Sequence, residues 1–297
     1  MKLRSNLFVL VVAALVPMLV FAVVAAQLLL RHERQTMERE AIGRARAAMS
    51  AIDAHVRASI AALETLAGSK NLESGDIRAF HAESQRVLRT QPAWVNIGLI
   101  SSTKLQLADA VYAFGRPGEP ARDDASLAAA LRGQVGIGDV VAGTAVRSPT
   151  ARIRVPAMVG GEVRYVLSAP LNLKTLTEIL QAQQVPEDWA ITLVDRERQI
   201  IVRTPAVPAG TPEVDGFREA VERQPEGWFH GRTLERRETY TAYVTSALSG
   251  WVLGIAIPDA TVEADARHAF IIMSLGVLVA VAIGALLSWL IDRRVSR

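Results

Sequence analysis

The chain has 297 residues, with 33 Lys and Arg against 30 Asp and Glu and no cysteine. No disulfide can brace it, so a domain formed in an oxidising compartment rests on apolar burial alone. Its small basic excess sits at the two ends, which excludes the broad basic surface of a nucleic-acid binder.

Residues 7–30 carry no charge and are rich in Leu, Val and Ala. At ~1.5 Å per residue such a helix crosses a hydrocarbon core of ~30 Å. Residues 270–291 form a second uncharged run. Lys2 and Arg4 precede the first run, and Arg293, Arg294 and Arg297 follow the second. The positive-inside rule puts residues 1–6 and 292–297 in the cytoplasm and residues 31–269 outside, in a multi-pass protein of the inner (plasma) membrane. A cleavable signal peptide is the alternative for the first run, because Val24, Ala25 and Ala26 ahead of Gln27 fit a small-residue cleavage site. The run is longer than the usual ~7–15-residue signal core and continues through Leu28, Leu29 and Leu30, which favours an uncleaved anchor.

The charged stretch after Arg31 contains no early Gly or Pro, so one helix is predicted from about residue 6 to residue 67, its part from 31 to 71 outside the membrane. Along it Ile42, Ala45, Met49, Ile52, Val56, Ser59, Leu63 and Leu66 recur at alternating spacings of three and four, a stripe on one face. That spacing is nearer 3.5 than 3.6 residues per turn, and Ala45 and Ser59 are small. A seam between two chains, hence a homodimer, is therefore expected, with docking of the chain's own modules as the other use of the stripe. Gly68 and the polar segment 69–76 end the helix.

Residues 76–90 read as an amphipathic helix with Ile77, Phe80, Val87 and Leu88 inward, stopped at Gln91 and Pro92. Strands are predicted at 94–100 and 105–114, then a Gly- and Pro-rich loop at 115–124, and a helix at 125–132 capped by Asp124 or Ser126. Strands at 138–142, 152–159 and 162–170 follow, the last two joined by a hairpin turn on Gly160 and Gly161. A connecting helix covers 173–184. The pattern then restarts with strands at 189–195 and 199–203, a loop at 205–215, a helix at 216–223 and strands at 227–234, 238–246 and 250–258. A helix at 259–268 leads into the second apolar run. Both units open on a Trp-led hairpin and close on a strand ended by Pro170 or Pro258, which marks one module repeated. The fold class is α+β: a long N-terminal helix and two tandem antiparallel-sheet modules, membrane-distal at 72–185 and membrane-proximal at 186–269.

This order of anchor, long exterior helix, two PAS-like modules and second anchor resembles the double-Cache sensory domains of bacterial receptors. The resemblance is carried by Trp94 with its hairpin and by the closing strands ended by Pro170 and Pro258. It is carried also by Thr239, Tyr240, Thr241, Ala242 and Tyr243 ahead of Leu248, Ser249, Gly250 and Trp251. It spans roughly residues 7–295 and implies a small-molecule sensor in front of a histidine kinase, chemotaxis transducer or cyclic-dinucleotide enzyme. Only residues 292–297 follow the second run, so the output module is expected either in a longer receptor or in a protein that this one contacts. Family members that bind amino acids carry an Arg-x-Trp-Tyr-like stretch ahead of the third strand. Here residues 114–118 read Phe-Gly-Arg-Pro-Gly, and no amino-acid specificity follows from the resemblance.

No metalloprotease, serine-hydrolase or phosphate-loop motif is present, so no enzyme activity, catalytic residue or cofactor is expected in this chain. Gly136 and Gly138 lack the third glycine of a dinucleotide fingerprint. His32, His55, His81, His230 and His268 are scattered, and no metal site is expected. Asp123 and Asp124 form a carboxylate pair at a loop-to-helix junction, where a helix cap is the plainer reading. The first module offers the polar set of a small-molecule pocket: Trp94, Asn96, Tyr112, Arg152, Arg154, Tyr165 and Ser168. An arginine fork among aromatics suits a carboxylate-bearing ligand. A membrane-tethered adaptor that binds another protein through its exterior face is the alternative function.

Overall fold

The computed structural model describes residues 2–115, 121, 124–141, 148–213 and 215–262, with 271, 272, 275, 276, 279, 282 and 283. The chain divides into two compact units, one of Ala41–Ile257 and one of Met1–Glu40 with Pro258–Arg297.

Helix α1 runs Lys2–Ala67, as the uninterrupted helical pattern predicts. Within the larger unit its apolar stripe is buried: Ala45, Met49, Ile52, Val56, Ser59, Leu63 and Leu66 are each at most 5% exposed. This corrects the expected seam between chains. The stripe is covered by its own chain, and polar contacts beside it agree, with Arg46 forked onto Glu226 and Asp53 accepting from the Ser246 hydroxyl at 2.7 Å. Among the described residues no helix is long and apolar enough to cross a membrane. Most side chains of residues 7–30 and most of residues 270–291, where the two spans are expected, lie outside the described residues.

Helix α2 (Lys70–Glu73) forms where only a polar ending was expected, because Ser69 caps it and accepts from the Asn71 amide. Glu83 of α3 (Ile77–Thr90) accepts from both Ser69 and Asn71 and ties the two helices together. In α3 the buried residues are Phe80, His81 and Ser84, while Ile77, Val87 and Leu88 are only half-buried. The polar pair is buried because it has partners: Ser84 donates to the carbonyl of His81, and the imidazole meets the β2 end of the first sheet.

The first sheet holds β1 (Gly98–Ser101), β2 (Gln106–Asp109), β3 (Gly136–Ile137), β4 (Arg152–Val159) and β5 (Glu162–Pro170) in the order β2-β1-β5-β4-β3. The second holds β6 (Ala190–Val194), β7 (Ile200–Thr204), β8 (Glu226–Arg232), β9 (Glu238–Thr245) and β10 (Val252–Pro258) in the order β7-β6-β10-β9-β8. The two orders are the same, so the repeat is one of topology. Helix α4 (Ala125–Leu131) and helix α6 (Asp215–Arg223) occupy equivalent places between the second and third strands, and α5 (Leu173–Gln181) links the modules. Gly160 and Gly161 both take positive φ in the predicted hairpin turn, a conformation that glycine adopts without steric cost. The early strands are shorter than expected: β1 starts at Gly98, and Trp94 makes only an isolated bridge to Leu171. Most of the 115–124 loop, residue 142 at the end of the expected third strand, and residues 143–147 lie outside the described residues.

Leu127 and Ala130 of α4 pack on Ile100 and Val166 of the first sheet. Phe217 of α6 packs with Val194, Ile200, Tyr243 and Val252 of the second. Each module therefore buries one sheet face under a single short helix.

Candidate ligand-binding site

Strand register decides which polar residues of the first module share a face. Gly98 pairs with Ser168, Ser168 with Arg154, and Arg154 with Gly136. These four residues form one row across the sheet, since directly paired residues project to the same side. Arg152, two residues before Arg154, belongs to that side as well. Helix α4 lies over the row so closely that a Cβ at Gly136 would stand 2.1 Å from the Ser126 carbonyl oxygen.

Asp124 is the N-cap of α4 and accepts from the amides of Ser126 and Leu127, each at 3.0 Å. Arg154 Nη1 donates to the same carboxylate and to the Ser126 hydroxyl at 2.7 Å. The Arg154 side chain is 3% exposed, so its charge is held out of water and needs this partner. Burial pushes the Asp124 carboxyl up, but the Arg154 charge and the bonds from Ser126 and Leu127 outweigh it and hold the group below its usual range. Arg152, also buried, donates to the Val141 carbonyl at 3.3 Å.

Of the residues expected from sequence, the sheet brings Arg152, Arg154 and Ser168 together. Asn96 is buried just ahead of β1, its side chain accepting from the Ile97 amide at 2.7 Å. Trp94 is 4% exposed, and its indole N–H has no hydrogen-bond partner among the described residues. Tyr112 offers its carbonyl to His81 Nε2 at 2.9 Å. That nitrogen also faces the Asp109 carbonyl at 3.1 Å. Carbonyls only accept, so Nε2 carries the proton. Tyr165 lies on the opposite face from Ser168, three residues along the same strand, with Arg164 over its ring. Sequence reasoning missed Ser126 as a partner of the arginine and left Asp124 as a cap alone. The signal was an acidic cap ahead of an apolar helix together with an arginine on a strand, but only the register shows that they meet. Asp123 lies outside the described residues. Among the described residues no cluster of His, Asp and Glu is able to hold a metal.

The strand edge beside Arg154 leads into the second module. Gly138 donates its amide to the Arg152 carbonyl at 2.7 Å. The next residue, Asp139, accepts from Arg196 Nε and Nη2 at 3.0 and 2.9 Å. Asp195, wholly buried, accepts from the Val140 amide at 2.8 Å. Burial pushes the Asp195 carboxyl up, against the hydrogen bonds from Val140 and Gln199. The Arg196 guanidinium is pushed up by its hydrogen bonds to Asp139. The β6–β7 turn of one module thus seats on the segment that follows β3 of the other.

No family model and no curated relative matches this chain. Solved structures do. The extracellular domain of rpHK1S-Z16, described as a histidine kinase, is similar with a TM-score of 0.62 and 12% identity over 77% of this chain and 95% of its own. The sensor domain of the histidine kinase DctB from V. cholerae gives 0.57 and 12%, over 76% and 98%. The ligand-binding domain of the Campylobacter jejuni chemoreceptor Tlp3, solved in complex with L-valine, gives 0.56 and 13%, over 79% and 97%. The chain has the two-module fold of these sensor domains.

Proposed function

We propose that the chain is the extracytoplasmic small-molecule sensing part of a transmembrane receptor. The observation that carries this is the buried arginine of the first module. Arg154 stands on a sheet face under α4, 3% exposed, beside Arg152 and Ser168, with its carboxylate partner on the covering helix. A ligand carboxylate arriving over that row shares the guanidinium with Asp124 or displaces it, and either event shifts α4 against the sheet. Tyr165 supports the sheet from its other face. Tlp3, of the same fold, was solved with valine bound.

The reading places residues 7–30 and 270–291 in the inner membrane and residues 31–269 outside. The described apolar side chains of these runs support it. Val24, Leu28, Ile271, Ile272, Leu275, Val279 and Ile283 are each 49–70% exposed, as lipid-facing residues are. It assigns no catalysis to this chain. A homodimer is part of the reading, but through the outer face of α1, where Gly43, Ala47, Ser50, Ala54, Ala58 and Ala61 are exposed and small enough for a close helix partner. Single cysteines at Ala47, Ser50 and Ala54 are expected to cross-link in membranes, and ones at Met49 and Ile52 are not.

The test of sensing is a thermal-shift screen of the full chain against amino acids and small mono- and dicarboxylates. A sensor is stabilised by its ligand through linkage. Arg154→Lys and Ser168→Ala should abolish or reduce the shift. A shift that neither substitution alters would remove the assignment of the site, and no shift with any compound would favour a protein-binding adaptor.

A further inference from the structure

The second sheet ends in two edge strands that are treated differently. At β7 the chain covers its own edge: Ile200 donates to the Thr211 carbonyl and accepts from the Gly210 amide, each at 2.8 Å. At β8 no strand or loop among the described residues pairs with the outer side.

The hydrogen-bond phase of the ladder decides which groups face outward. β8 pairs with β9 in unbroken register, from Glu226 opposite Val244 to Arg232 opposite Glu238. Just beyond its two ends, the Thr245 amide donates to the Pro225 carbonyl at 2.7 Å and the Thr233 amide to the Arg237 carbonyl at 3.0 Å. Bonded and non-bonded pairs alternate along an antiparallel ladder, so the bonded ones belong to the odd-numbered residues of β8. The amides and carbonyls of the even-numbered residues point away from the sheet. Those of Glu226, Trp228 and Arg232 have no partner among the described residues. An open row of this kind is a template for one more strand.

The side chains decide which strand fits. Glu226 opens β8 with its side chain 45% exposed, and Arg232 closes it with 69% exposed. Turned antiparallel about Phe229, the segment is complementary to itself. Glu226 then faces the partner's Arg232, and Trp228 faces the partner's His230. These pairs are even-numbered, so the register that matches the charges also matches the outward hydrogen-bonding groups. A slip of two residues keeps the bonding phase but sets Glu226 or Arg232 against an aromatic side chain. Within its own chain Glu226 is held by Arg46 of α1, and Arg232 holds Glu238. The contact therefore extends a line of alternating charges and leaves none unpaired. The opposite face of β8 presents only Gly227, Phe229 and Gly231, so Phe229 is the one bulky side chain there.

We propose that β8 is a self-association edge. Two copies of this chain pair β8 with β8, antiparallel about a twofold axis at Phe229, and their second sheets of five strands join into one. This surface is separate from the exposed α1 face and goes beyond the sensing function.

The test is disulfide trapping of the full chain in membranes, since the chain has no cysteine of its own. Two single variants are used, Glu226→Cys and Arg232→Cys, co-expressed and each alone. Residues of a bonded antiparallel pair have Cα atoms ~5.5 Å apart, within the range of a disulfide. Mild oxidation of the co-expressed variants should give a disulfide dimer. Each variant alone should give at least tenfold less, because like positions stand roughly 20 Å apart along the paired strands at ~3.4 Å per residue. Glu226→Cys co-expressed with Trp228→Cys is the register control and should give as little. No dimer from the first mixture, or an equal yield from a single variant or the register control, overturns the proposal. A disulfide from the Glu226→Cys thiol to a different protein, with no dimer, overturns it too, by giving the edge to another strand. Either failure leaves the sensing site of the first module untouched.

Discussion

The two modules share a strand order and a covering helix, and each buries one arginine whose side chain is 3% exposed. They differ in where the partner carboxylate sits. In the first module Arg154 rises from β4, and its partner Asp124 is the cap of α4, so the pair joins helix to sheet. In the second Arg203 is on the edge strand β7, and its partner Glu235 is in the β8–β9 turn, 36% exposed. A repeated backbone thus carries two electrostatic designs. One closes its face with an ion pair between sheet and covering helix. The other ties an edge strand to a turn at the border of solvent.

The comparison breaks first if the two pairs prove equal in cost. Asp124→Ala leaves Arg154 buried without its partner and removes a helix cap, and is expected to destabilise by about 3 kcal/mol or more. Glu235→Ala removes a partner at the edge of solvent, where water replaces part of the interaction, and about 1 kcal/mol is expected. Denaturant unfolding of both variants measures the ratio.

A second contrast is steric. Gly136→Ala drives a Cβ into backbone, the Ser126 carbonyl, which has no room to yield. Gly254→Ala meets a ring, Cε2 of Phe217 at 2.7 Å, which turns more easily. Overpacking costs about 1–3 kcal/mol. Gly136→Ala is expected at the top of that range and Gly254→Ala near the bottom, read from their denaturation midpoints.

Much of this architecture is legible in the sequence. The Trp-led hairpins, the double glycine turn and the Pro-ended closing strands mark both sheets, because hairpins and alternation are local signals. The site is less legible. Arg154 and Asp124 are thirty residues apart, and their meeting depends on a register that no local pattern encodes. Tyr165 and Ser168, three apart on one strand, cannot share a face, and parity alone separates them. The α1 stripe has the same spacing whether a second chain or its own modules cover it, so periodicity could not choose between them. Helix α2, four residues long, is set by one serine cap and is too short for periodicity to reveal.

pH sharpens the comparison further. Asp124 and Glu235 both have folded pKa values below their unfolded ones, so each contributes stability that is present above the unfolded value and lost as pH falls through the folded one. Glu235 is brought from 4.5 to about 2, chiefly by its hydrogen bonds from Arg203. The stability gap between the wild type and Glu235→Gln should therefore be full near neutral pH, shrink below pH 4.5 and vanish near 2. The gap for Asp124→Asn should close in the acid range too, and a gap that grows on acidification would reverse the assignment.

The smallest effect is expected where the modules meet. Asp139→Asn weakens the fork from Arg196, whose side chain is 40% exposed, and a loss of about 1 kcal/mol or less is expected. Hydrogen exchange at Val140 and at the β6–β7 turn should rise, while α4 keeps its protection.

The central claim is that a ligand acts on the first module at the row beneath α4. Hydrogen exchange of the full chain, with and without the compound that gives the largest thermal shift, tests it most directly. The account predicts added protection in α4, β4 and β5, with a smaller change at the β6–β7 turn. Protection confined to other segments, with α4, β4 and β5 unchanged at saturating compound, would contradict it.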